Sequence, residues 1–193
     1  MTQTTSGLDL DHTHGDLVAQ LLAQHEQVRA AIYAVAETTT AESRQEQFDA
    51  LRELLARHET AEEMIVRPLT RGIERGYDVA ADRMSEENEG KDMLADLERL
   101  DIASVEFART FEKFALAVLT HAQNEETYEF PLLRRNVDAE KLATAERQLL
   151  LAERIAPTHP HPSARSTLAN YALGPFASML DRARDAISQI TSS

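Results

Sequence analysis

Two stretches of the chain repeat one another. HETAEEMIVRPL begins at His58 and HAQNEETYEFPL at His121, and both read His, three residues, Glu-Glu, four residues, Pro-Leu. On an α-helix, positions i and i+4 lie on one face a turn apart. His58 with Glu62, and His121 with Glu125, therefore each aim an imidazole and a carboxylate in one direction. The apolar stripe Phe107, Phe111, Phe114 and Val118 steps by three or four onto His121 and Glu125. Leu51, Leu54 and Leu55 step likewise onto His58 and Glu62, and Ile65 follows. Both pairs thus continue a core face. A buried carboxylate without a cation is costly and protonates rather than staying charged. Two inward His–Glu pairs are how metal sites are built inside helix bundles.

The elements that must position them are helices. Ala, Leu, Glu and Arg dominate, and only six glycines and six prolines punctuate the chain. Residues 1–15 read as a flexible arm. A first helix starts at Asp16 and runs to about residue 37, and a second runs from about Arg44 through Leu69, with Ser43 as its expected N-cap. Gly72 and Gly76 bracket the next turn. A third helix is expected over 80–100, with Gly90 inside it as a weak spot, and a fourth over 104–135. Asp138 caps a fifth that ends at Ile155. APTHPHPSARS (156–166) is a proline-broken linker, and 167–190 reads as a helical tail interrupted at Gly174-Pro175. The expected fold is all-α, an antiparallel up-down four-helix bundle over 16–136. Residues 137–193 form a C-terminal helical appendage that packs on the bundle or on a second copy in a homodimer.

Further ligands should lie at the same height. His58 stands about 15 residues into its helix and His121 about 17 into its own, so both occupy nearly one level. On the first helix that level falls near His25. On the third it falls on Ser85-Glu86-Glu87-Asn88-Glu89, which holds no histidine. Glu87, seven residues before Leu94 and ten before Leu97, is the preferred oxygen ligand, with Glu86 as the alternative. Tyr128, three residues after Glu125, is expected on the ligand face. It serves there either as a phenolate ligand or as a hydrogen-bond donor that orients Glu62 or Glu125. Glu59, Glu63 and Glu126 are offset around their helices and read as surface or supporting groups, Glu59 with the alternative of an extra ligand. His12, His14, His159 and His161 lie outside the bundle.

On these residues the chain resembles the hemerythrin family, the HHE cation-binding domain, over roughly 16–136. The resemblance rests on His25, on the pairs His58–Glu62 and His121–Glu125, and on the Pro-Leu after each pair. It implies a non-haem centre of two iron ions, oxo- or hydroxo-bridged, in which Glu62 and Glu125 span both irons and the histidines bind terminally. It also implies dioxygen, hydrogen peroxide or nitric oxide as small ligands. The chain departs from the family in having no histidine on the third helix. The resulting oxygen-rich donor set favours ferric iron, which points toward peroxide breakdown rather than reversible oxygen carriage. The alternatives are an oxygen, nitric oxide or iron sensor without turnover, and a bundle whose site is empty. Zinc and manganese suit the same nitrogen and oxygen ligands.

Composition bounds the rest. With 33 acidic against 20 basic residues in 193, the formal charge is −13, which argues against nucleic acid and anionic membranes as partners. The absence of cysteine removes thiolate metal sites, iron–sulfur clusters and disulfides. The first residues are polar and acidic, unlike a secretory signal. The longest apolar run, Phe114 to Leu119, falls well short of the ~20 residues that span a bilayer. The expected setting is the cytoplasm.

Overall fold

The computed structural model describes residues 16–155. The N-terminal arm, the proline linker, the expected tail helix and the four outlying histidines fall outside these described residues. Within them the chain is helical, without strands. Helix α1 (Leu17–Glu37) opens on Asp16, whose carboxylate accepts from the Val18 N–H at 3.0 Å. Helix α2 (Ala41–Ala61) is capped by Thr40 rather than Ser43, because the Thr40 hydroxyl accepts from the Ser43 N–H at 3.3 Å. The cap therefore sits three residues earlier than the propensity pattern suggested, and Ser43 lies in the first turn.

A π-helical segment (Glu62–Val66) follows α2 directly and leads into α3 (Arg67–Arg71). Helix α4 (Gly76–Leu97) returns across the bundle, four residues earlier than expected. Helix α5 (Val105–Asn124) is capped by Ser104 and passes through a second π-helical segment (Glu125–Glu129) into α6 (Phe130–Asn136). Helix α7 (Ala139–Ile155) starts where the Asp138 carboxylate accepts from the Lys141 N–H at 2.8 Å. No helix among the described residues is long and apolar enough to cross a membrane.

The two π segments fall at the same point of each repeat, and the proline explains them. Pro68 and Pro131 have no N–H to give, and their rings press on the carbonyl one turn back. Widening the turn relieves that clash, and the bond passes one residue further on: the Arg67 N–H reaches the Glu62 carbonyl, and the Phe130 N–H reaches the Glu125 carbonyl.

Two apolar clusters fill the interior. One contains Val28, Ile32, Phe48, Leu51, Leu97, Phe107, Phe111 and Phe114. The other contains Leu17, Leu21, Met64, Ile65, Phe130 and Leu133, with Leu142, Ala145, Leu149 and Ala152 from α7. The fifth helix thus builds core with the bundle instead of standing apart. On α1, α2 and α5 the sequence between the two clusters holds the buried polar residues, so a polar layer is enclosed by apolar material on both sides.

Two glycines carry opposite constraints. A Cβ on Gly76 would lie 1.8 Å from the Thr70 carbonyl oxygen, in a turn where Arg75 already has φ of 65°. A Cβ on Gly90 would meet nothing within 4 Å. Gly90→Ala should therefore stabilise the protein by about 0.5–1 kcal/mol through helix propensity. Gly76→Ala should destabilise it by more than about 2 kcal/mol, because the new Cβ clashes with the Thr70 carbonyl. Urea unfolding of the two variants beside the parent checks the opposite signs.

Candidate metal centre

The polar layer gathers residues from α1, α2, α4, α5 and the starts of both π segments. His25, His58, Glu62 and Glu125 each offer a ligand atom within 4.8 Å of the others, and so do Glu62, Glu87, His121 and Glu125. The two groups share Glu62 and Glu125. All six residues named from sequence are therefore brought together, His25, Glu62 and Glu125 being almost wholly buried.

The imidazoles share one arrangement. His58 Nδ1 faces Gln24 Oε1 at 2.9 Å, His121 Nδ1 faces Glu86 Oε2 at 2.9 Å, and His25 Nδ1 faces Glu126 Oε1 at 2.8 Å. An oxygen acceptor at Nδ1 places the ring proton there and leaves the Nε2 lone pair free. The Nε2 atoms point into the cluster, at 3.1 Å (His25) and 3.4 Å (His121) from Glu125 and 3.6 Å (His58) from Glu62. This is how ligand histidines are oriented, with the far nitrogen held by an outer acceptor.

The acceptors are themselves fixed. Gln24 donates to Glu153 of α7 at 2.5 Å. Glu86 accepts from Arg83 at 2.7 Å and Asn124 at 2.8 Å. Glu126 accepts from Arg29 at 2.7 Å. Glu86 therefore supports His121 and lies outside both groups, while Glu87 lies within one. Glu126, offset on its helix in the sequence reading, is drawn inward onto His25.

Tyr128 does not reach the centre; it is 59% exposed. Its expected place assumed a regular α-helical period through residue 128. In the wider π turn four steps, not three, return to the same face, and Glu129 is the residue buried there. Glu59 belongs to neither group. It lies 4.0 Å from Lys91 beside the centre, and burial pushes its carboxyl up to about 7 against the pull of that ammonium.

A guanidinium also occupies the layer. Arg67 is fully buried; Nε and Nη2 donate to Glu87 at 2.9 and 2.7 Å, and Nη2 also reaches Glu125 and, at 3.4 Å, Glu62. Its Nη1 donates to Glu129, which the Thr70 hydroxyl holds at 2.5 Å. Arg67 and Glu129 escaped the sequence reading, because charged residues beside a proline look solvated. The available signal was Glu129 at i+4 from the inward Glu125.

One cation shared among four carboxylates leaves negative charge uncompensated. Burial and then Glu125 drive the Glu62 carboxyl well above the ordinary range, and burial also raises Glu129. Glu125 is held low instead, because Arg67 and His121 outweigh its burial. Burial drops His58 to about 3, so its imidazole is neutral and able to act as a ligand.

Whether these residues suit a cation can be judged from the buried atoms that lack a partner. Among the described residues these are His25 Nε2, His121 Nε2, Glu62 Oε1, Glu125 Oε2 and Arg83 Nε. Four of the five are nitrogen or oxygen lone pairs of the two groups, and buried polar atoms are rarely left unpaired. The set fits a hard or borderline metal ion with nitrogen and oxygen ligands. A cavity of about 20 Å³, lined by His25, His58, Glu59, Glu87, Gly90 and His121 among others, adjoins it. That is room for about one water-sized ligand.

The hemerythrin HHE cation-binding domain model matches residues 16–133. The chain belongs to the hemerythrin HHE family. Among solved structures it is similar to a hemerythrin HHE cation-binding domain-containing protein from Mycobacterium kansasii, at 18% identity and a TM-score of 0.68, covering 88% of this chain and 99% of that one. That likeness shows a shared fold. No significant match was found among curated proteins. As an HHE protein, the chain has a buried His/Glu cluster able to bind metal.

Two measurements test this hemerythrin-like centre. Metal competes with protons for the Glu62 carboxyl, whose affinity for a proton burial raises, so metal affinity should rise with pH and Zn²⁺ binding should release protons. Calorimetry in buffers of different ionisation enthalpy reads that release, and buffer-independent heats would contradict it. Glu86→Ala should weaken metal binding by about 10–100-fold without removing a ligand, because His121 loses its tautomer lock. A competition titration against a chelator checks it.

Proposed function

We propose that this hemerythrin-like chain holds iron at two adjacent positions and reacts with dioxygen or hydrogen peroxide, peroxide breakdown being favoured over reversible oxygen carriage. The observation that carries the reading is the pair of ligand groups sharing Glu62 and Glu125. Two carboxylates common to both groups are what a two-ion centre requires. His25 and His58 would serve one ion, and His121 and Glu87 the other. The chemistry iron brings to such a site is electron transfer and Lewis acidity.

The protein contributes position and exclusion. Gln24, Glu86 and Glu126 hold the three imidazoles in one tautomer, so that each Nε2 is ready without reorganisation. Val28, Leu55, Val118 and Ala122 line the adjoining cavity and keep it apolar. Its size, room for about one water-sized ligand, suits a small molecule. Three histidines with three carboxylates, and no histidine from α4, give a donor set that favours the oxidised metal. This supports turnover over carriage: of two peroxide molecules, one is oxidised to dioxygen and the other reduced to water.

Anaerobic iron loading, metal quantification and an oxygen electrode test the proposal. The iron-loaded protein should evolve dioxygen from peroxide, and Glu62→Ala should lower the rate by more than about 100-fold, since it removes a carboxylate common to both positions. Iron-loaded protein that leaves peroxide untouched, yet takes up dioxygen and releases it intact, would overturn the reading in favour of carriage.

A further inference from the structure

The two halves of the centre are related by the sequence repeat, and their differences are informative. His58 matches His121 and Glu62 matches Glu125. The structure extends the match to the partner helices. Gln24 holds His58 as Glu86 holds His121, and the residue after each, His25 or Glu87, enters a ligand group. Nine residues after each motif histidine stands Arg67 in one copy and Phe130 in the other. Phe130 stacks on His25 with centroids 5.3 Å apart, whereas Arg67 bonds Glu87. One half thus pairs an imidazole with an aromatic ring, and the other pairs a carboxylate with a guanidinium.

The bonding follows this division. In the His25–His58 group, His25 Nε2 and the Glu125 Oε2 that faces it at 3.1 Å have no hydrogen-bond partner; in the other group His121 Nε2 likewise has none, but its carboxylates are engaged. In the Glu87–His121 group, Arg67 Nη2 bonds all three carboxylates. A single guanidinium nitrogen therefore lies among the oxygens that a cation in that group would need. Its charge opposes a second cation there, and the local dielectric strengthens the opposition.

We infer that Arg67 is the resident cation of the Glu87–His121 position, so that the centre takes one metal ion readily between His25 and His58 and a second only when Arg67 Nη2 withdraws. The inference rests on the metal-site reading above and adds an order of loading to it. Arg67 can withdraw without leaving the core, because Glu129, held by Thr70, keeps its other nitrogen. Glu129 is then the counter-charge that Arg67 retains when Glu62, Glu87 and Glu125 turn to metal.

Zn²⁺ titration of the full-length chain tests this, followed by calorimetry and native mass spectrometry. The wild type should bind one ion tightly and a second at least about tenfold more weakly. Arg67→Met, similar in length but uncharged, should bring the second affinity to within about tenfold of the first. Should Arg67→Met not fold, the wild type alone decides. The side-chain ¹⁵N resonance of Arg67 should persist through the first equivalent of Zn²⁺ and shift only with the second. Two equal affinities in the wild type, with the Arg67 resonance changing from the first addition, would overturn the inference and leave the metal centre standing. Absence of Zn²⁺ binding to the wild type would overturn the metal-site reading and the inference together.

Discussion

Negative charge held away from water is the constraint around which this molecule is arranged. Glu62, Glu87, Glu125 and Glu129 converge in a layer enclosed by two apolar clusters, and a single guanidinium meets all four. Removing such groups from water is expensive unless each is paired. One arginine cannot pair four carboxylates, so burial raises the proton affinity of Glu62 and Glu129, and a bound cation would meet the remaining charge. Both apolar clusters, the imidazole supports and the widened helical turns serve to keep that surplus in place. The cost of the layer is offset by extensive apolar burial on either side of it.

Much of this was legible in the residues themselves. The repeated His-x3-Glu pattern lies in phase with flanking apolar stripes, and phase alone places a side chain inside or outside a helix. Height along the helix, counted from the expected ends, brought His25 and Glu87 to the level of the two pairs. The early start of α4 at Gly76 does not disturb that count, which runs back from the far end of the helix near Leu100, and the Thr40 cap moves the level on α2 by only three residues.

Part of what the residues concealed originates in the two prolines. A regular period carried past Glu125 places Tyr128 inward, but the extra residue in the π turn rotates it to solvent and brings Glu129 in. The same widening carries Arg67 inward as the residue that closes the first π turn. Hydrophobic periodicity assumes a constant rotation per residue and fails where a ring without an N–H alters it. Glu126 and Gln24 were hidden for a different reason: their role depends on which histidine nitrogen faces them, and spacing carries no information about that.

The hydrogen bond from Gln24 to Glu153 sets the extent of the working unit. The family match ends at residue 133, yet the carboxylate that orients Gln24, and through it the proton on His58, stands 20 residues further along the chain. A protein trimmed to the four bundle helices would lose apolar burial and, with it, the preference of one imidazole for a single tautomer. The orientation of His58 thus depends on α7 as well as on the bundle, and grafting the repeat onto another scaffold would need to carry α7, or a substitute acceptor for Gln24, with it.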